Sequence, residues 1–182
     1  MNLISRIPVI YTCLMCSCSN HDASINQIPG GAMSLDSAKE VNAIMATVEK
    51  ETSSFYARNY NNWKDTYVQS NYAFQAWNND DSTIDARTGW NEIDWELKKY
   101  MEKYPEEVTS HPRVERRNLI CTFYGQSLAF LTWDQYNSDK ELMNYWHSKE
   151  VRLMEKQDGH WKIACLSAFW DYKNLVPIKA LK

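Results

Sequence analysis

The alternation of apolar and polar positions is clearest between His147 and Trp170, where HSKEVRLMEK and WKIACLSAFW flank Gln157-Asp158-Gly159-His160. Asp-Gly between two such runs predicts a hairpin, because a type I′ turn needs positive φ at both central positions. Counting outward from Asp158 and Gly159 pairs Gln157 with His160, Met154 with Ile163, Arg152 with Cys165 and Glu150 with Ser167. Strand side chains alternate between faces. One face should then carry Trp161, Met154, Ile163, Cys165, Ser167 and Phe169 together with Arg152 and Glu150. The other should carry Leu153, Val151, Ala164 and Leu166, closed at the turn end by Glu155 and Lys162. A charged pair inside an otherwise apolar face is the pattern of a pocket wall.

Upstream the period lengthens to that of helices. Ser37 and Glu40 have capping-box spacing. Val41, Ile44, Val48 and Phe55 follow at helical intervals, with Lys39, Glu40, Glu49 and Lys50 off the stripe, so the first helix faces a core. Asn59 to Asn62 breaks it, and a short second helix carries Trp63 and Tyr67. Tyr72 to Asn78 reads as a strand with Phe74 and Trp77 on opposite faces, and Asn79-Asp80-Asp81-Ser82 as a turn. A third helix runs from Thr88 to Tyr104, with Trp90, Ile93, Leu97, Tyr100 and Tyr104 marking its buried face before Pro105 ends it. Glu115 to Tyr124 and Ser127 to Tyr136 are strands turning at Gly125-Gln126. Asn137 to Trp146 is a polar crossover, and after the hairpin the tail from Asp171 to Lys182 ends the domain. The order is three helices interleaved with one early strand, then four antiparallel strands. That is α+β, with the helices segregated to one face of a curved sheet.

Composition narrows the functional classes. A chain of 182 residues is one ordinary domain plus a short extra segment. A formal charge of −3 gives no reason to expect nucleic acid or an anionic membrane surface as partner. Eight Trp and eleven Tyr supply side chains that line cavities as well as cores. Five Gly and five Pro argue against repeats or a disordered chain. The N-terminus has one basic residue, Arg6, an apolar run from Ile7 to Met15, and then small and sulfur-bearing residues. That run is shorter than the roughly 20 residues a membrane span needs, and it follows a signal-peptide pattern. Met15-Cys16-Ser17-Cys18 resembles a bacterial lipobox, with Cys18 as the residue that would be lipidated. The expected organisation is a signal segment over residues 1–18, a tether over 19–34 containing Pro29-Gly30-Gly31, and one domain over 35–182. An exported protein held at the cell envelope by its N-terminal lipid follows, with no other membrane contact. Cys121 and Cys165 read as two buried free thiols.

Arg152 with Glu150 is the leading chemical constellation, since residues two apart on a strand share a face and an interior arginine must be paired or face a ligand. It could receive an anionic or carbonyl group bidentately, or simply be a structural ion pair. Arg117 and Asp134 should face each other across the Gly125-Gln126 hairpin, with Tyr136 two residues on. Asp134 and Tyr136 could act as base and oxyanion donor, but a cross-strand salt bridge is the simpler reading. His111, His147 and His160 have no second His or Cys at ligand spacing, so neither a metal nor another cofactor is expected. No nucleophile elbow or Gly-rich phosphate loop is present. Trp63, Tyr67, Trp77 and Trp133 are core by default, with some of them expected to border a cavity.

This arrangement, a long helix, a short Trp-bearing helix, a strand, a third helix opening at Gly89-Trp90 and a meander ending in Asp158-Gly159-His160-Trp161-Lys162-Ile163, resembles the nuclear transport factor 2-like superfamily. Within it the chain is most similar to the SnoaL-like proteins and to the association domain of calmodulin-dependent protein kinase II, over about Asp36 to Trp170. The resemblance implies a cone-shaped, cystatin-like fold: three N-terminal helices packed on a strongly bent antiparallel sheet, a pocket at the wide end, and dimerisation through the outer sheet face. It also implies that Arg152 points into the pocket, where its counterpart in the kinase domain can meet carboxylates. The histidines that follow the motif there are replaced here by Cys165 and Ser167. The function expected is non-catalytic binding of a small, partly apolar and anionic ligand by a homodimer, with Arg152, Glu150, Ser167, Tyr67, Trp63, Trp77 and Trp133 around it. The alternatives are an isomerase, cyclase or dehydratase working by general acid–base chemistry, and a module for oligomerisation or protein interaction.

Overall fold

A computed structural model describes residues 35–106 and 113–181. The first helix, α1 (Leu35–Tyr56), is followed by the single turn α2 (Tyr60–Lys64), whose N-terminus is capped by the Asn59 side chain accepting from Asn62 N. Two short strands, β1 (Phe74–Asn78) and β2 (Ile84–Thr88), form a hairpin, and α3 (Trp90–Lys103) follows directly. Four long strands complete the chain: β3 (Val114–Tyr124), β4 (Leu128–Ser138), β5 (Asn144–Gln157) and β6 (His160–Pro177), with a 3₁₀ turn at Ile178–Leu181. All six strands form one sheet in the order β2-β1-β6-β5-β4-β3. The class is α+β, as expected.

The sheet departs from the expected one in two ways. It is mixed, because β1 runs parallel to β6, with Phe74 opposite Cys165 and Trp77 opposite Ala168. It also has a second early strand, β2, whose Ile84-Asp85-Ala86-Arg87-Thr88 carries little apolar signal because it is an edge strand with alternate residues exposed. The tail from Asp171 continues β6 as far as Pro177, and the crossover shortens to residues 139–143. Tyr67 lies past α2, where its backbone bridges Ile163.

The stripe Val41, Ile44 and Val48 of α1 is buried against the inner sheet face, with Ile93, Leu97 and Met101 of α3 beside it. Complete burial of side chains such as Ile44, Leu131 and Ile163 contributes about 1.5–3 kcal/mol each. Tyr100 and Tyr104, expected on the buried face of α3, are 40% and 46% exposed, because Met101 takes the inward position in that turn. Polar ties fix α1 against the hairpin: Glu40 accepts from Lys156 Nζ at 2.8 Å and from Trp161 Nε1 at 2.5 Å.

Register in the β5–β6 hairpin follows the sequence count only near the turn. Gln157 faces His160 and Met154 faces Ile163, but Leu153 then faces Cys165, leaving Ala164 as an extra residue. This β-bulge lies where Ile163 also bonds the other way, accepting from Val68 N at 2.9 Å and donating to Thr66 O at 2.8 Å. Beyond it Arg152 faces Leu166, and Glu150 faces Ala168 rather than Ser167. The inner face of β6 is therefore Leu166, Ala168 and Trp170, while Cys165, Ser167 and Phe169 turn outward.

Gly89 closes the β2–α3 junction at φ +89°, donating to Ala73 O at 2.7 Å, with the Asn71 carbonyl oxygen 3.4 Å from where a Cβ would stand. A backbone of that kind is open to glycine almost alone. Gly89→Ala is expected to destabilise the protein by about 1–3 kcal/mol in urea unfolding. An unchanged midpoint would show that the junction relaxes freely.

Candidate functional site

A cavity of about 530 Å³ opens between α1, α3 and the inner sheet face. α1 contributes Glu51, Thr52 and Phe55; α2 and the segment after it contribute Trp63 and Tyr67. β1 adds Gln75 and Trp77, β4 adds Gln135 and Asn137, β5 adds Glu150 and Arg152, and β6 adds Leu166, Ala168 and Trp170. Arg87 of β2 and Glu96 and Tyr100 of α3 also line it, with Tyr56, Ile93, Leu97 and Tyr172 among the rest of the wall.

Arg152 and Glu150 share the inner face of β5 because alternation puts both on the side of Met154 and Ser148. Both are almost wholly buried, and Arg152 Nη1 donates to Glu150 Oε2 at 2.9 Å. The other carboxylate oxygen accepts from Ser148 Oγ at 2.6 Å. Arg152 Nη1 also reaches the carbonyl oxygens of Val151 at 3.0 Å and Ser167 at 3.4 Å. Its guanidinium lies 5.0 Å from the centre of the Trp133 ring, a stacked position that desolvation strengthens.

Glu51 is the second buried carboxylate of the cavity. Its Oε1 accepts from Trp63 Nε1 at 3.2 Å and from Tyr67 OH at 3.1 Å, and Oε2 accepts from Thr52 Oγ1 at 3.3 Å. Burial, and next the negative charge of Glu51, hold the Tyr67 phenol well above its ordinary range, so it stays a neutral donor. Three buried polar atoms of the lining have no partner among the described residues: Arg152 Nε, Asn137 Oδ1 and Arg87 Nη1.

Five of the residues expected at the site line the cavity: Trp63, Tyr67, Trp77, Glu150 and Arg152. Trp133 is fully buried behind it, under Arg152, with Nε1 donating to Gln135 Oε1 at 3.3 Å. Ser167 is not in the wall, because the bulge at Ala164 turns it outward and only its backbone carbonyl meets Arg152. Asp134 and Tyr136 are not there either. Trp133 and Gln135 point inward, so their neighbours point out. Arg117 faces Asp134 in register, as counted, yet its side chain bonds Glu115 and the Leu181 carbonyl instead. Asp134 accepts from Asn118 Nδ2 at 2.8 Å and from Lys149 Nζ at 3.2 Å, and meets His147 Nε2 at 3.1 Å. Burial raises its carboxyl, but these three partners outweigh that and hold it below the usual carboxylate range. Tyr136 stacks on His147 at 4.9 Å. Cys121 and Cys165 are free and only partly buried, with Cys121 turned to the core and Cys165 outward. Cys18, the signal segment, the tether and His111 lie outside the described residues. Among the described residues no group of three His, Cys, Asp or Glu is arranged to hold a metal ion.

Sequence reading missed Glu51, Gln75, Gln135 and Asn137. Glu51 carried a signal: it stands three residues after Val48 and four before Phe55, on the stripe that packs inward. Gln135 and Asn137 alternate with the inward Trp133 in the same way.

No protein-family model matches this chain, and no curated protein matches it. Solved structures share its fold. A nuclear transport factor 2-like protein of unknown function from Shewanella oneidensis superposes with a TM-score of 0.55 at 14% identity, over 71% of this chain and 98% of that one. A protein of unknown function with a cystatin-like fold, from Nostoc punctiforme, gives 0.55 at 12% identity, over 79% and 97%. A proposed ketosteroid isomerase from Parabacteroides distasonis gives 0.52 at 12% identity, over 71% and 86%. The fold is thus the nuclear transport factor 2-like, cystatin-like one.

Arg152→Leu is expected to cost about 3–5 kcal/mol in urea unfolding, because Glu150 stays buried without its counter-charge. The double variant Arg152→Leu, Glu150→Gln should regain part of that loss. A single variant as stable as the wild type would mean that the pair is not electrostatically coupled.

Proposed function

We propose that this protein binds a small, partly apolar molecule in the cavity without transforming it. The observation that carries the reading is the set of unpartnered buried atoms on lining residues, Arg152 Nε, Asn137 Oδ1 and Arg87 Nη1. An unsatisfied buried donor or acceptor costs about 1–3 kcal/mol, so three around one cavity favour an occupant that pairs with them. Aromatic and aliphatic walls with a few convergent polar groups are the usual make-up of such a site.

The protein acts as a homodimer built on the outer sheet face, a reading supported by the exposed Ile120, Leu128, Phe130 and Phe169. It is exported and held by lipid at Cys18, a reading supported by the apolar run from Ile7 to Met15 and the residues that follow it.

A second reading is favoured by one contact. Glu51 and the Tyr67 hydroxyl, 3.1 Å apart in the cavity, are a carboxylate and a phenol of the kind that moves a proton beside a carbonyl. The Parabacteroides structure named as a proposed ketosteroid isomerase shares the fold. The Tyr67 hydroxyl stays neutral and already donates its hydrogen bond to Glu51, which favours binding over turnover. With a β,γ-unsaturated ketone as substrate, ultraviolet absorbance is expected to show no isomerisation above the buffer rate. Turnover that Glu51→Gln abolishes would establish the enzyme instead.

Native mass spectrometry of the full chain, purified gently from the envelope, tests the first reading. The expected spectrum is a dimer of mature, lipid-modified chains carrying a discrete extra mass that Ala168→Leu, which fills the cavity wall, removes. Identical masses for both proteins, with nothing bound, would overturn it.

A further inference from the structure

We infer that the ligand is a monocation, a protonated amine on a partly apolar body that also bears neutral acceptors for the free Arg152 Nε and Arg87 Nη1 donors, and that Glu51 is its counter-ion. The inference rests on reading the cavity as a ligand site, and names the class of molecule that the site takes.

The argument is a matching of charges. Arg152 is held by Glu150 at 2.9 Å. Arg87 lies 3.8 Å from both Asp85 and Glu96. Arg116, the cation on the α1 side, gives Nη1 to Glu49 at 2.7 Å and only reaches Thr52 Oγ1, at 3.2 Å, with Nη2. These three arginines therefore each have a carboxylate, while Arg58, outside the lining, is held by the backbone carbonyls of Phe55 and Tyr104. Glu51 does not have its own cation: among the described residues its partners are Trp63, Tyr67 and Thr52, all neutral donors. A carboxylate only 9% exposed, in a largely apolar cleft, is costly unless a positive charge compensates it.

Oε1 is saturated by the indole and the phenol, whereas Oε2 has only the long 3.3 Å contact from Thr52. That second oxygen is the acceptor left for a ligand's N–H. The rings of Trp63 and Tyr67, centres 4.4 Å apart, stand beside it and present π faces that attract cations. The protein already uses its cavity aromatics in this way, setting Arg87 at 4.8 Å over Trp77 and Arg58 at 5.1 Å over Tyr100. An anion, by contrast, would have to compete with Glu150 for Arg152 while sharing the cavity with Glu51. The anionic ligand suggested by Arg152 alone is thus disfavoured by the carboxylates around it.

Three probes of one shape test this: phenethylamine, phenethyl alcohol and 3-phenylpropionate, titrated against the full chain while tryptophan emission is followed. Trp63, Trp77 and Trp170 in the wall report occupancy directly. The amine is expected to bind about tenfold or more tighter than the alcohol, the scale of one charge-assisted contact, with the carboxylate weakest. Glu51→Gln should erase the amine's advantage and leave the alcohol's affinity within about twofold, the neutral body being bound by the unchanged walls. If that variant does not fold, judged by circular dichroism, the ranking of the three probes on the wild type decides. Tightest binding by the alcohol or the carboxylate would overturn the monocation while leaving the cavity as a ligand site. No response to any probe, together with an empty native mass spectrum, would remove both.

Discussion

One extra residue in β6 decides what the cavity is made of. Side chains on a strand alternate strictly, so a single insertion reverses inside and outside for everything beyond it. Ala164 is that insertion. Before it, Trp161 and Ile163 belong to the core; after it, Leu166, Ala168 and Trp170 line the cavity while Ser167 and Phe169 face away. Without the bulge, a serine hydroxyl and a free thiol would stand beside Arg152. With it, the wall opposite Arg152 is aliphatic, and the polar chemistry concentrates on β4, β5 and α1. The parallel partner of β6 depends on the same step, since Gln75 and Trp77 of β1 enter the cavity only through their register with Leu166 and Ala168.

Electrostatics divides that cavity into two kinds of charge. Arg152 and Glu150 form an ion pair through Arg152 Nη1, with Ser148 and Trp133 beside it, so the charge of the guanidinium is answered while its Nε–H still lacks a partner. Such a pair contributes little net stability, but either half left alone is strongly unfavourable. Glu51 is different in kind, a carboxylate oriented by an indole and a phenol and lacking, among the described residues, a cation of its own. The contrast matters more than either group, because a residue whose charge is already answered is scaffold, whereas an unanswered one is an instrument of recognition.

Much of this was legible in the sequence, and the failures have physical causes. The Asp158-Gly159 turn, the inward pair on β5 and the stripe of α1 follow from local periodicity, which tertiary contacts reinforce. The bulge had no Gly or Pro to announce it. It arises from a distant partner, the backbone of Thr66 to Val68, which pulls on Ile163 from the other side. β2 was hidden because an edge strand that buries only alternate polar residues has no apolar signature. Asp134 and Tyr136, candidates as base and donor beside the simpler salt bridge, face outward because Trp133 takes the inward direction. Glu51 was obscured by its company: an acidic residue on an apolar stripe was read past rather than read as the exception.

The parallel pairing of β1 with β6 has a kinetic consequence. Phe74 to Trp77 meet Cys165 to Ala168 across most of the domain's sequence, whereas the β3–β4 and β5–β6 hairpins close locally. Bringing distant segments together carries a loop-closure entropy that local hairpins avoid. The part of the cavity wall that β1 supplies, Gln75 and Trp77, therefore depends on the costliest closure in the sheet, so the local hairpins are expected to form ahead of it.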